Sequence, residues 1–218
     1  MKKIIFLFVA IGTTILSSYA QQNCSLKRDE NGIKIYTCSQ SDSRYNSVRA
    51  EYTIYSNLQD YLKVLFDVEN YPAWQFKTFD TKLLKSNGEN SFTYYAIIDS
   101  PWPVTDRDMV LNVQVEYLSK KELKVVIQSK PNQYQEKKGL IRVPKSVSTM
   151  YLEQTGPNEI KVKYLVSADP GGTIPAWVVN MFCTEAPYET FSSLKNILEY
   201  GSNGEVLISK HKAKKSGL

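Results

Sequence analysis

The chain has 218 residues, 27 Lys and Arg against 22 Asp and Glu, a formal net charge of +5, three cysteines and one histidine. The histidine is His211, close to the C-terminus, which removes His-based catalytic triads and clustered His metal sites from serious consideration. The basicity is too mild to argue for a nucleic-acid partner.

Met1-Lys2-Lys3 forms a positive start, Ile4 to Ile15 is largely apolar, and Ser18-Tyr19-Ala20 offers a small-x-small cleavage site. Residues 1–20 therefore read as a cleaved signal peptide of an exported protein, periplasmic or secreted. The apolar run falls short of the ~20 residues that a membrane-spanning helix needs, which makes an uncleaved anchor the lesser alternative. Removing residues 1–20 takes away Lys2 and Lys3 and lowers the net charge from +5 to +3. What remains, about 200 residues, fits one domain with a substantial core.

Strands are expected at 24–29, 33–39 and 47–55. Cys24 and Cys38 flank the turn signal Asp29-Glu30-Asn31-Gly32, and export permits a disulfide. A three-residue loop at Glu30-Asn31-Gly32 would set the two cysteines directly opposite each other, and such a bridge is worth roughly 3 kcal/mol in the loop-closure model. Ser56 reads as the N-cap of a helix whose Leu58, Tyr61, Leu62, Leu65 and Phe66 make an apolar stripe. Asn70-Tyr71-Pro72 ends it.

Further strands follow at 79–86, 91–99, 108–118 and 121–129. Phe92, Tyr94, Ala96 and Ile98 share one face of theirs, and Met109, Leu111, Val113, Val115 and Tyr117 do the same in the next strand. Between these two runs lies Ser100-Pro101-Trp102-Pro103-Val104-Thr105-Asp106-Arg107-Asp108. Its prolines fix φ on both sides of Trp102 and remove two backbone donors, so the segment leaves the sheet as a stiff loop. Trp102 there reads either as a lid over an apolar space or as a plug in an ordinary core.

Residues 138–153 are β-like but interrupted by Pro144, and alternation from Ile160 to Ala168 gives the last strand. Asp169-Pro170-Gly171-Gly172 breaks the sheet, and Thr173 is the expected N-cap of a long final helix with Pro175 in its first turn. Pro187 should kink that helix and Gly201 should end it. Cys183 reads as a buried thiol within it. The fold class is thus α+β: a curved antiparallel sheet wrapped around a long C-terminal helix, with room for an internal hydrophobic cavity between them. Residues 21–203 form the domain and 204–218 a basic tail.

Several segments together resemble the START (StAR-related lipid transfer) domain. They are Asn31-Gly-Ile-Lys-Ile-Tyr36, Asn70-Tyr-Pro-Ala-Trp74, the run Ser100 to Val110, the run Asp169 to Asn180, and Ala186-Pro187. The resemblance spans Leu26 to Tyr200. It implies a helix-grip fold that holds a lipid or other hydrophobic molecule inside, without catalysis and without a cofactor or metal, usually as a monomer in transient contact with a membrane. The 100–106 segment matches the family's Ω-loop, which with the final helix forms the cavity entrance. By that mapping Trp102, Val104, Trp177, Val178 and Met181 line or gate the entrance, and Met109, Leu111 and Val113 face the cavity. Trp74, Tyr94, Ile98 and Phe182 complete the expected lipid-contacting set.

Sterol-binding members carry a buried arginine where this chain has Val113, which points to a more uniformly apolar cavity. Arg107 and Asp108 match the family and are expected to be structural, Arg107 pinning the loop base to Asp106, Asp108 or a neighbouring carbonyl. The alternatives to lipid binding and transfer are a cyclase-like enzyme on a hydrophobic substrate and a ligand-sensing module. An enzyme would need a buried carboxylate inside the cavity.

Overall fold

The computed structural model describes residues 23–201, apart from 42 and 44. The expected signal segment and basic tail lie outside those residues. Ten strands form one sheet: β1 Cys24–Glu30, β2 Ile33–Cys38, β3 Ser47–Ile54, β4 Thr78–Ser86, β5 Ser91–Ile98, β6 Arg107–Tyr117, β7 Glu122–Ser129, β8 Ile141–Arg142, β9 Lys145–Gly156 and β10 Glu159–Asp169. Their order is β1-β2-β3-β10-β9-β7-β6-β5-β4, all pairings being antiparallel except that the short β8 runs parallel beside β6. The helices are α1 Leu58–Phe66, followed by a 3-10 segment at Val68–Ala73, and a long C-terminal element. That element comprises α2 Ala176–Asn180, a π-helical turn Met181–Glu185 and α3 Ala186–Tyr200.

The first hairpin turns more tightly than expected. Its loop is two residues, Asn31 at φ 51° and Gly32 at φ 72°, the left-handed pair that suits the twist of a hairpin. Such a loop alone would leave Cys24 and Cys38 one residue out of step. A bulge between Leu26 and Arg28 restores the register, so Cys24 faces Cys38 and their sulfurs are bonded. The α1 cap also differs from expectation. Asn57 rather than Ser56 caps the helix, its Oδ1 accepting the Asp60 N–H at 3.0 Å from an extended backbone.

In β5 and β6 the alternation was a faithful guide. Phe92, Tyr94, Ala96 and Ile98 pair with Val113, Leu111, Met109 and Arg107, so the two apolar rows lie side by side on one face. That face is concave and packs against α1 and α3. Pro144 separates β8 from β9, because a residue without an N–H leaves a gap in the ladder.

Tyr95, Ile97 and Val110 point the other way and form a small outer cluster with Leu84, Tyr134 and Leu140. The segment 131–142 straps across it. Asp108 and Arg142 hold that strap. The Arg142 Nε donates to Asp108 Oδ1 at 2.8 Å and Nη2 to Oδ2 at 2.9 Å, while the Tyr95 hydroxyl donates to Oδ2 at 2.9 Å. Arg142 also donates to the carbonyls of Pro131, Tyr134 and Gln135.

The C-terminal element departs from an uninterrupted helix. Thr173 does not cap it; Pro175 occupies the N-cap position, and no side chain caps the end. The expected kink at Pro187 takes the form of the π turn just before it, where the Ala186 N–H reaches back to the Met181 carbonyl. Pro187 has no N–H to give to the preceding turn, and one extra residue is absorbed there. Downstream, α3 is seated on the first hairpin and β3. Asn31 Nδ2 donates to the Tyr188 hydroxyl at 2.6 Å, the Arg28 guanidinium lies 3.3 Å from the centre of the Tyr188 ring, and Lys195 Nζ donates to the Thr53 carbonyl at 2.5 Å. Tyr52 stacks on Phe191 with ring centroids 4.5 Å apart.

Candidate functional site

A cavity of about 350 Å³ lies between the concave face of the sheet and the C-terminal element. It exists because the sheet's curvature exceeds what the side chains fill. At one end Val113, Val115, Leu123, Val125 and Leu152 pack the trough solid. At the other, towards the 100–106 loop and the turn before α2, the walls stay apart.

That turn is built on glycine. Gly171 has φ +71°, and a Cβ there would sit 3.2–3.3 Å from Ile141, the Arg142 carbonyl and Pro144, so only glycine lets the connection lie down against β8. Its N–H donates to Asp169 Oδ1 at 3.0 Å. The turn thereby brings Pro170 and Ile174 to the cavity wall.

Six of the twelve expected lipid-contacting residues line the cavity: Trp74, Tyr94, Ile98, Met109, Leu111 and Phe182. The other six do not. Val113 faces the same way as Met109 but lies at the packed end, fully buried. Trp102 is 90% exposed and Trp177 51% exposed, and neither they nor Val104 reach the cavity. Val178 is buried and Met181 half-buried, both outside the lining. Besides Phe182, this helix gives the wall Val179, Cys183, Ala186, Pro187, Thr190, Phe191 and Leu194. Those spacings of three and four define one helical stripe that runs through the π turn.

Tyr61 and Leu65 of α1, Tyr71 and Phe76 after it, and Met150 and Tyr164 of the sheet were not singled out from the sequence as cavity residues. Their apolar periodicity marks them as inward-facing, and nothing in the local pattern distinguishes a cavity wall from a filled core. The cavity is rich in tyrosines. Burial pushes the hydroxyls of Tyr61, Tyr71 and Tyr94 well up and that of Tyr164 up to about 12, so all stay neutral hydrogen-bonding groups at physiological pH. Burial also raises the Cys183 thiol, which keeps it protonated and a poor nucleophile.

Arg107 is the one residue of the cavity wall, among those described, that carries a formal charge at neutral pH; no Asp or Glu lines it. It is 3% exposed. Its Nη1 donates to the Thr105 carbonyl. It does not pair with Asp108, because neighbours on a strand point to opposite faces and Asp108 belongs to the outer strap. The base of the 100–106 loop is closed by Asp106, whose Oδ1 accepts the Ser100 N–H at 2.8 Å. Burial lowers the Arg107 pKa, with Asp106 and Tyr45 opposing the shift. At Asp108 burial works to raise the pKa, but the hydrogen bonds from Arg142 and Tyr95 outweigh it and hold the carboxyl below its ordinary value.

Comparison with known proteins accords with this architecture. The chain is 34% identical to an uncharacterized protein of Pseudomonas aeruginosa over 178 residues, covering 82% of this chain and 88% of that one. It is 25% identical to the rat (Rattus norvegicus) phosphatidylcholine transfer protein over 162 residues, covering 70% and 72% of the two chains. The crystal structure of a STAR-related lipid transfer protein fragment from Xanthomonas axonopodis superposes with a TM-score of 0.74 at 28% identity, over 80% of this chain and 98% of that one. The family model of the START domain matches residues 20–200. With its sheet gripping the C-terminal helix around an internal cavity, this chain belongs to the START domain family.

Proposed function

We propose that the protein binds a lipid or comparable amphiphile in the cavity and carries it between membranes, without chemical change. The observation that carries this reading is the cavity walled by Met109, Leu111, Ile127, Met150, Phe182 and Leu194. Each CH₂ buried there regains about 0.8 kcal/mol, which offsets its removal from a bilayer. The neutral tyrosines give weak polar handles, and with no Asp or Glu among the described wall residues and Cys183 held protonated, the lining supports ligand holding over carboxylate-based acid–base chemistry. The names of the relatives support the same reading.

Trp102 and Trp177 are assigned a role outside the cavity. Two indoles exposed on the loop and helix beside the entrance suit the interfacial zone of a bilayer, where an amphipathic ring is at home. We place the protein outside the cytosol, periplasmic or secreted, a reading supported by the signal-like residues 1–20 and the bonded Cys24–Cys38 pair.

The test is uptake. The full chain, purified without detergent, is incubated with phospholipid vesicles, separated by gel filtration and extracted for mass spectrometry. One lipid per protein is expected, and Ala168→Trp, which fills the cavity from β10, should lose it while remaining folded. Parent protein that emerges without lipid refutes the reading.

A further inference from the structure

Two arginines lie close together at this end of the sheet, one on each face, and they differ in one respect. Arg142, on the outer face, presents the edge formed by Nε and Nη2 to Asp108, which accepts both N–H groups at 2.8 and 2.9 Å. This is the side-on, two-point grip of a guanidinium on an oxyanion. Arg107, on the inner face, spends Nη1 on the Thr105 carbonyl. Its Nε and Nη2, the same edge, are buried and have no hydrogen-bond partner among the described residues.

No wall residue supplies the missing anion. Asp106, the adjacent carboxylate, accepts the Ser100 amide with its Oδ1 and is not part of the cavity wall. A buried cation with two unsatisfied donors is costly unless an anion meets it. The surroundings suit such a group: Tyr45, Asn46, Ser146 and Ser148 also line the cavity, and the rest of the wall is mainly apolar. A ligand lying here would be charged at one end and hydrocarbon over most of its length.

We infer that the Nε–Nη2 edge of Arg107 is the seat of an oxyanion on the ligand, and that the protein selects amphiphiles bearing a phosphate or carboxylate over neutral ones. The inference rests on the proposed lipid binding and adds the head-group chemistry to it. Both oxyanions present two oxygens at the spacing the guanidinium edge grips, as the Asp108 carboxylate does for Arg142.

The experiment offers matched lipids in one vesicle population: a phosphatidyl lipid and a diacylglycerol with identical acyl chains, and a free fatty acid and the fatty alcohol of the same length. The full chain is incubated with these vesicles, re-isolated by gel filtration and its lipid quantified by mass spectrometry. At least tenfold enrichment of the phosphatidyl lipid over diacylglycerol, or of the acid over the alcohol, is expected, and the pair that shows it identifies the oxyanion. Arg107→Lys keeps the charge but loses the two-point grip, and should reduce that preference about tenfold while still taking up lipid.

Equal retention of charged and neutral partners by the parent protein would overturn the inference and leave lipid binding standing. So would an undiminished preference in folded Arg107→Lys. Retention of no lipid would overturn both. Should Arg107→Lys fail to fold, the matched pairs on the parent protein decide alone.

Discussion

Adjacent residues Arg107 and Asp108 are both buried and both charged, yet their removal should have opposite consequences. Asp108 is 1% exposed and accepts three hydrogen bonds, two of them from Arg142, whose side chain is 7% exposed. In Asp108→Ala that guanidinium stays buried with its charge uncompensated and the Tyr95 hydroxyl loses its acceptor. Removing one partner of a buried pair costs about 3–5 kcal/mol. At roughly 2–4 °C per kcal/mol for a domain of this size, the melting temperature should fall by about 6–20 °C. Arg107→Met removes a charge that the wall leaves uncompensated, keeps most of the side-chain volume and forfeits one hydrogen bond to Thr105. Its stability should lie within about 1 kcal/mol of the parent's, or above it. Urea unfolding followed by far-ultraviolet circular dichroism, on protein stripped of lipid, measures both. An Arg107→Met loss as large as that of Asp108→Ala would refute the reasoning, because Arg107 would then be holding the fold together. An Asp108→Ala loss below about 1 kcal/mol would refute the cohesive role of the outer ion pair.

Three other outcomes are expected. The depressed pKa of Asp108 gives a stability contribution fully present above the ordinary carboxylate value of about 3.9 and lost as pH falls through it towards the folded-state value. Asp108→Asn should therefore flatten the dependence of melting temperature on pH below about 4, and an unchanged slope would contradict the assignment. Replacing Cys24 and Cys38, 14 residues apart, by serine should cost about 3 kcal/mol in the chain-entropy model, read as an earlier urea midpoint; no shift would mean that the bridge adds nothing to the β1–β2 ladder. Trp102→Ala should change stability by less than about 0.5 kcal/mol, given how little of the ring is buried, while slowing lipid transfer between vesicles. Unaltered transfer would remove the indole from the membrane step.

Alternation with period two sufficed to define β5 and β6 and to put Ile98, Tyr94, Met109 and Leu111 on one inward face. Strand geometry imposes that arrangement locally, whatever the rest of the chain does. The same was true of the α1 stripe; the hairpin was placed at Asn31-Gly32, but its two-residue length and the compensating bulge were not legible locally. Which inward-facing residues meet space and which meet other side chains was decided by tertiary structure. Val113 and Met109 are two strand turns apart in one row, yet the curvature of the sheet packs one and leaves the other against the cavity. The rotation of the C-terminal helix was decided likewise: Val179 and Cys183 line the cavity while Trp177 is half exposed, a choice of face that hydrophobic periodicity alone does not make. The pairing of Asp108 with Arg142, 34 residues away, left Arg107 on the cavity side with its Nε and Nη2 buried and unpartnered. Local sequence could put those two neighbours on opposite faces, but only the folded strap and the curved sheet determined what each face contains.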